Sequence, residues 1–120
     1  MTPQEQVIRV NTILYCEKWA DTVDFYTTGL QLPATVALDW FMEFTLTDTA
    51  CLSIANASRT TRNSSRGEGH LITFQVSDLE ETRNRLCRNG LAPSPIESHT
   101  WGAAVMYLTD PEGNRLEFWC

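Results

Sequence analysis

The stretch Gly69-His70-Leu71-Ile72-Thr73-Phe74-Gln75-Val76-Ser77-Asp78-Leu79-Glu80 runs a strand directly into a helix start. His70, Ile72, Phe74 and Val76 alternate with Leu71, Thr73 and Gln75, the period of a strand with two different faces. Ser77 and Glu80 have the S-x-x-E spacing of a capping box. Leu79, Thr82, Arg83 and Leu86 then follow at helical spacing, and Gly90 suits the position just past a helix end. Pro93 and Pro95 interrupt the chain, and strands are predicted near 96–97, 103–109 and 115–119. Asp110-Pro111-Glu112-Gly113-Asn114 makes the last turn, since proline presets φ and glycine or asparagine accepts positive φ.

The first half repeats this order. Residues 7–16 are rich in β-branched side chains and read as a strand, with Asn11, Ile13 and Tyr15 on one face. Residues 18–29 read as a helix, because Trp19, Val23, Tyr26 and Leu30 recur on one side of a 3.6-residue spiral. Strands are predicted over 35–38, 40–46 and 50–55, with Asp48-Thr49 as the turn between the last two. The polar, aperiodic segment 56–69 carries three arginines and reads as a mobile connection. The chain is therefore expected to be one α+β domain over 1–120. It holds two βαβββ modules, about 7–55 and 70–120, whose short sheets curve around a cavity.

Composition bounds the function. The 120 residues are 42% hydrophobic and 20% charged, as in ordinary globular domains. The net charge of −6 argues against a nucleic-acid partner, and no apolar run reaches the ~20 residues a membrane span needs. The polar start of the chain lacks a secretory pattern, so the cytoplasm is the expected compartment. No two of the four cysteines form a C-x-x-C pair, and Cys16, Cys51 and Cys87 are expected to be buried. Nucleotide-binding and serine-nucleophile signatures are missing from the sequence. The strand aromatics, including Tyr15, Trp40, Phe74 and Trp101, fit either core packing or a π-rich wall for a planar or cationic ligand.

Three segments resemble the vicinal oxygen chelate superfamily of glyoxalases, bleomycin-resistance proteins and extradiol dioxygenases. Asn11–Tyr15 running to Asp24-Phe25-Tyr26 and Leu30 is similar to its opening strand and helix. Residues 69–78 are similar to the start of its second module. Trp101-Gly102 followed by Asp110-Pro111-Glu112-Gly113-Asn114-Arg115-Leu116-Glu117 is similar to its ending. The resemblance implies a small-molecule ligand or substrate and a homodimer. It also implies a metal site on inward strand positions, at Asn11, Ser53, His70 and Glu117. A divalent ion (nickel, zinc, manganese or iron) would sit on His70, Glu117 and Asn11, with Glu117 also the catalytic group. Trp101, Trp40, Phe74, Tyr15 and Ser53 would contact the substrate. Ser53 stands where glyoxalases carry a carboxylate, and Asn11 breaks the two-histidine set of the dioxygenases. Two functions stay open: a metal-dependent lyase or isomerase with a degenerate site, and a non-catalytic protein that sequesters a cationic or aromatic compound.

Overall fold

The structure, a computed structural model, describes residues 2–99 and 102–120. A short helix α1 (Pro3–Gln6) precedes strand β1 (Val10–Cys16). Helix α2 (Trp19–Asp24) continues into a π-helical turn, Phe25–Gly29. Strands β2 (Ala34–Ala37), β3 (Phe41–Thr47) and β4 (Ala50–Asn56) complete the first module. The second has β5 (Ile72–Gln75), α3 (Leu79–Arg88), β6 (Glu97–Ser98), β7 (Ala104–Thr109) and β8 (Arg115–Trp119). Each module forms its own mixed sheet, in the orders β1-β4-β3-β2 and β5-β8-β7-β6. The outer pairs β1–β4 and β5–β8 are parallel and the others antiparallel. The two sheets do not close on one another, so β1 and β5 are both edge strands.

The alternation read from the sequence sorts the two faces. Leu14, Phe44, Leu52, Ile54, Met106, Leu108, Leu116 and Phe118 join Tyr26, Leu79 and Leu86 in one core between sheets and helices. Each such side chain stabilises the fold by roughly 1.5–3 kcal/mol on burial. The opposite, open face carries Asn11, Ile13 and Tyr15 on β1 and Thr73 and Gln75 on β5, none of them fully buried.

Several local expectations change. The first strand begins at Val10 instead of residue 7, and the chain before it turns into α1, capped by Thr2 and Glu5. The cap of α3 is Asp78, which accepts from the Glu81 backbone N–H at 3.0 Å, one residue later than the Ser77 pattern. The single predicted helix over 18–29 widens at Phe25, where Leu30 N–H reaches back to the Phe25 carbonyl at 3.0 Å. Phe25 and Tyr26 are both buried there. Cys16 and Cys51 are buried as expected, but Cys87 is exposed on α3.

The connection 56–69, expected to be mobile, is pinned to the Asp110–Asn114 turn. Gly67, at φ +83°, lies so close that an added Cβ would stand 1.9 Å from the Gly113 carbonyl oxygen. Ser64 donates to the Glu112 carboxylate, and Arg66 pairs with Glu17 at 3.3 Å. Glu112 also accepts from the backbone N–H groups of Glu17 and Lys18 at 2.9 and 2.8 Å. One carboxylate thus ties the last turn of the second module to the start of α2 in the first.

Candidate functional site

Strand register places the expected residues. On the first sheet the open face carries a cross-strand row Ile13–Ser53–Glu43–Val36. On the second the corresponding row is Thr73–Glu117–Tyr107. Ser53 and Glu117 are therefore equivalent positions of the two modules. Asn11 lies two residues before Ile13, and two residues before Thr73 is Leu71. His70 is offset by one from the place that matches Asn11, so its strand parity is opposite to that of Glu117's partner Thr73.

Asn11 and Ser53 do come together, with the Ser53 hydroxyl donating to Asn11 Oδ1 at 2.8 Å. Tyr15 shares their face, in a row with Ala55 and Phe41. Glu117 stands beside Tyr107, whose hydroxyl is pushed up from its ordinary pKa by partial burial and by the carboxylates of Glu117 and Glu97. Arg115 opposes that shift. The Arg115 guanidinium also lies 5.7 Å from the centre of the Tyr107 ring. Phe74 is on the other side of its sheet, stacked on Phe118 at 5.1 Å in the core. Trp40 is half-buried before β3, its ring 5.3 Å from that of Phe41. Trp101 lies outside the described residues.

Glu43 also belongs to this face, opposite Ser53. A register shift lets Thr35 sit as an extra residue on β2, and its hydroxyl donates to Glu43 Oε2 at 2.7 Å. Arg9 pairs with the same oxygen at 3.4 Å. The carboxylate lacking at Ser53 is thus present one strand over, on the residue directly opposite it. β3–β4 pairing sets that face, and the β2 irregularity adds the Thr35 contact.

His70 has a different set of neighbours. It is exposed and lines a groove of about 490 Å³ between the edges of β1 and β5. Thr12–Tyr15 form one wall and His70–Thr73 the other, with Asn63, Ser65 and Asn114 at one end. Its Nε2 is 3.1 Å from Asn114 Oδ1. Asn114 Nδ2 donates to Asp110 Oδ2 at 2.8 Å, and Tyr26 donates to the same oxygen at 2.7 Å. His70 is held by a chain of hydrogen bonds leading into the core.

This arrangement does not fit a resident divalent ion within one chain. Such an ion needs several converging nitrogen or oxygen donors. Among the described residues no group of three or more His, Cys, Asp and Glu side chains could hold one. Asn11 is engaged with Ser53, and His70 with Asn114.

Paired βαβββ modules with unclosed four-stranded sheets define a class of small α+β domains. The chain belongs to the Glyoxalase/Bleomycin resistance protein/Dioxygenase superfamily, whose family model matches residues 9–118. A glyoxalase/bleomycin resistance protein from Catenulispora acidiphila DSM 44928 superposes with a TM-score of 0.76 at 15% identity, covering 93% of this chain and 96% of its own. A lactoylglutathione lyase from Agrobacterium tumefaciens gives a TM-score of 0.74 at 17% identity, covering 92% and 90%. A glyoxalase-related enzyme from Fulvimarina pelagi gives 0.75 at 15%, covering 92% and 85%. At these identities the likeness is one of fold. No curated protein sequence matches the chain. No helix among the described residues is long and apolar enough to cross a membrane.

Proposed function

We propose that the protein binds a small molecule without chemistry of its own, holding it in the groove between β1 and β5. The observation that carries this is the mismatch between groove and metal donors. The groove has polar and apolar lining from both modules, whereas Asn11, His70 and Glu117 do not converge. Ile13, Leu14, Leu71 and Ile72 give it apolar surface, and Thr12, Tyr15, Asn63, Ser65 and Thr73 give it neutral hydrogen-bonding groups. The protein acts as a homodimer in the cytoplasm in this reading. The exposed apolar side chains of Val7, Ile8 and Val10, outside the groove, favour pairing.

A titration followed by amide NMR with a panel of small aromatic and aliphatic compounds tests the binding. Saturable shifts confined to residues 12–15 and 70–73 are expected. No saturable shift with any compound class would sink the reading.

A divalent-metal lyase or isomerase is the second reading. It is favoured by the placement of Glu117 on the open face at the position equivalent to Ser53. Stoichiometric nickel, zinc, manganese or iron on the purified protein, lost in His70→Ala, would establish it over the first.

A further inference from the structure

We infer that His70 serves the groove as a hydrogen-bond acceptor of fixed tautomer, selecting neutral ligands that carry an O–H or N–H donor on an apolar body. The inference rests on the groove reading above and deepens it.

Asp110 is buried, and its carboxylate can only accept hydrogen bonds when ionised. Oδ1 accepts from the backbone N–H groups of Glu112 and Asn114, each at 2.9 Å. Oδ2 accepts from the Tyr26 hydroxyl and from Asn114 Nδ2. Flipping the Asn114 amide would set its oxygen against a carboxylate oxygen. The amide is therefore oriented with Nδ2 toward Asp110, and Oδ1 is left facing His70.

An amide oxygen is an acceptor, so His70 Nε2 must carry the proton. In the neutral imidazole, Nδ1 then keeps the lone pair. Nδ1 has no hydrogen-bond partner among the described residues. The groove is thus lined by an imidazole whose tautomer is set by a buried carboxylate two hydrogen bonds away. Free histidine in water exchanges between tautomers with Nε2–H the more populated, and the Asn114 acceptor biases His70 further toward it before any ligand arrives.

The lining narrows the ligand's charge. The protein is acidic overall, yet no Asp, Glu, Lys or Arg side chain is among the described residues that line the groove. A charged ligand would leave water without an opposite charge to meet, which is costly. A neutral body fits Ile13, Leu14, Leu71 and Ile72, and a single donor group answers Nδ1.

The test uses the full chain at neutral pH with two probes of one shape, p-cresol and 4-methylanisole, which differ in having or lacking the O–H. Long-range ¹⁵N–¹H correlation on the unliganded protein is expected to show His70 as the Nε2–H tautomer. An Nδ1–H tautomer would overturn the proposal outright. On titration, p-cresol is expected to shift the groove amides and the His70 Nδ1 resonance with at least tenfold higher affinity than 4-methylanisole. His70→Ala is expected to bring the two probes to equal affinity. Equal binding of both probes to the native protein overturns the donor selection and leaves the groove standing. Shifts from neither probe overturn the groove reading together with this one. Asn114→Ala is expected to give mixed His70 tautomers and weaker cresol binding, marking Asn114 as the positioning residue. Should that variant fail to fold, the ratio of p-cresol to 4-methylanisole affinity in the native protein still decides.

Discussion

The hydroxyl of Tyr26, on the π-helical turn of the first module, donates to Oδ2 of Asp110, in the last turn of the second, at 2.7 Å. Both residues are buried, at 0% and 4% exposure. The carboxylate and the burial of the ring push the phenol far above its ordinary pKa, with burial the larger cause. The phenol therefore stays protonated as a donor throughout the working range of pH. Tyr26→Phe keeps the ring but removes one of the donors to Asp110. A hydrogen bond to a charged group contributes about 1.5–3 kcal/mol. The variant is expected to unfold at lower urea concentration by about that free energy, with an unchanged m-value. Loss of under half a kilocalorie would show that water replaces the hydroxyl.

Glu112 gives the stability a dependence on pH. Burial works against its charge. Hydrogen bonds from Ser64 and from the Glu17 and Lys18 backbone, with the nearby Lys18 charge, prevail and hold it below the usual carboxylate range. A group whose folded pKa is lowered adds stability above its unfolded pKa, near 4.5, and loses it as pH falls through the folded value. Unfolding free energy is expected to fall with acid below about pH 5 in the native chain. Glu112→Gln should flatten that decline. A neutral amide has one acceptor oxygen for two backbone N–H groups, so the variant should also lose about 1–3 kcal/mol at pH 7. Denaturant melts of both proteins from pH 3 to 7 check both statements.

Two glycines of nearly equal φ should respond differently to the same substitution. Gly67 (+83°) and Gly69 (+85°) both pay the left-handed cost of a side chain, about 1–2 kcal/mol. At Gly69 nothing lies within 4 Å of the added Cβ. At Gly67 it would collide with the Gly113 backbone, which cannot move without opening the Asp110–Asn114 turn. Gly69→Ala is expected to fold with a modest loss. Gly67→Ala should either lose more than about 3 kcal/mol or fail to accumulate as folded protein. Equal losses in thermal melts would mean that the connection is not held against the turn.

The alternation of His70 to Val76 and of the 115–119 segment was enough to set which side chains reach the core, because a strand has a fixed period. Glu117 and Ser53, inward positions implied by the family resemblance, lie on the open face. The alternation also sets His70 opposite Thr73; the family resemblance alone put it among the inward positions, one residue away from where β5–β8 pairing puts the counterpart of Asn11. Register is set by hydrogen bonds to another strand, and a shift of one exchanges the faces. The pairing of Glu43 with Ser53 across β3 and β4 is a matter of register that no local pattern shows, and the π-helical turn departs from 3.6-residue spacing. The hydrogen bonds that the Glu17 and Lys18 backbone N–H groups donate to Glu112 join residues 95 and 94 apart, which no local pattern can show.

The cysteines give a test of the packing that needs no ligand. Cys16 and Cys51 are buried, and Cys87 and Cys120 are exposed. Burial, with the charges of Glu112 and Asp110 behind it, pushes the Cys16 thiol up to about 12. The thiolate is the reacting form, so Cys16 is protected by both access and proton affinity. A thiol-reactive dye at pH 8 is expected to label two cysteines quickly in the native protein and all four in denaturant. Mass spectrometry of the peptides should assign the fast pair to Cys87 and Cys120. Rapid labelling of Cys16 without denaturant would mean that the core under α2 opens on the minute scale, and the buried Tyr26–Asp110 contact would then have to open with it.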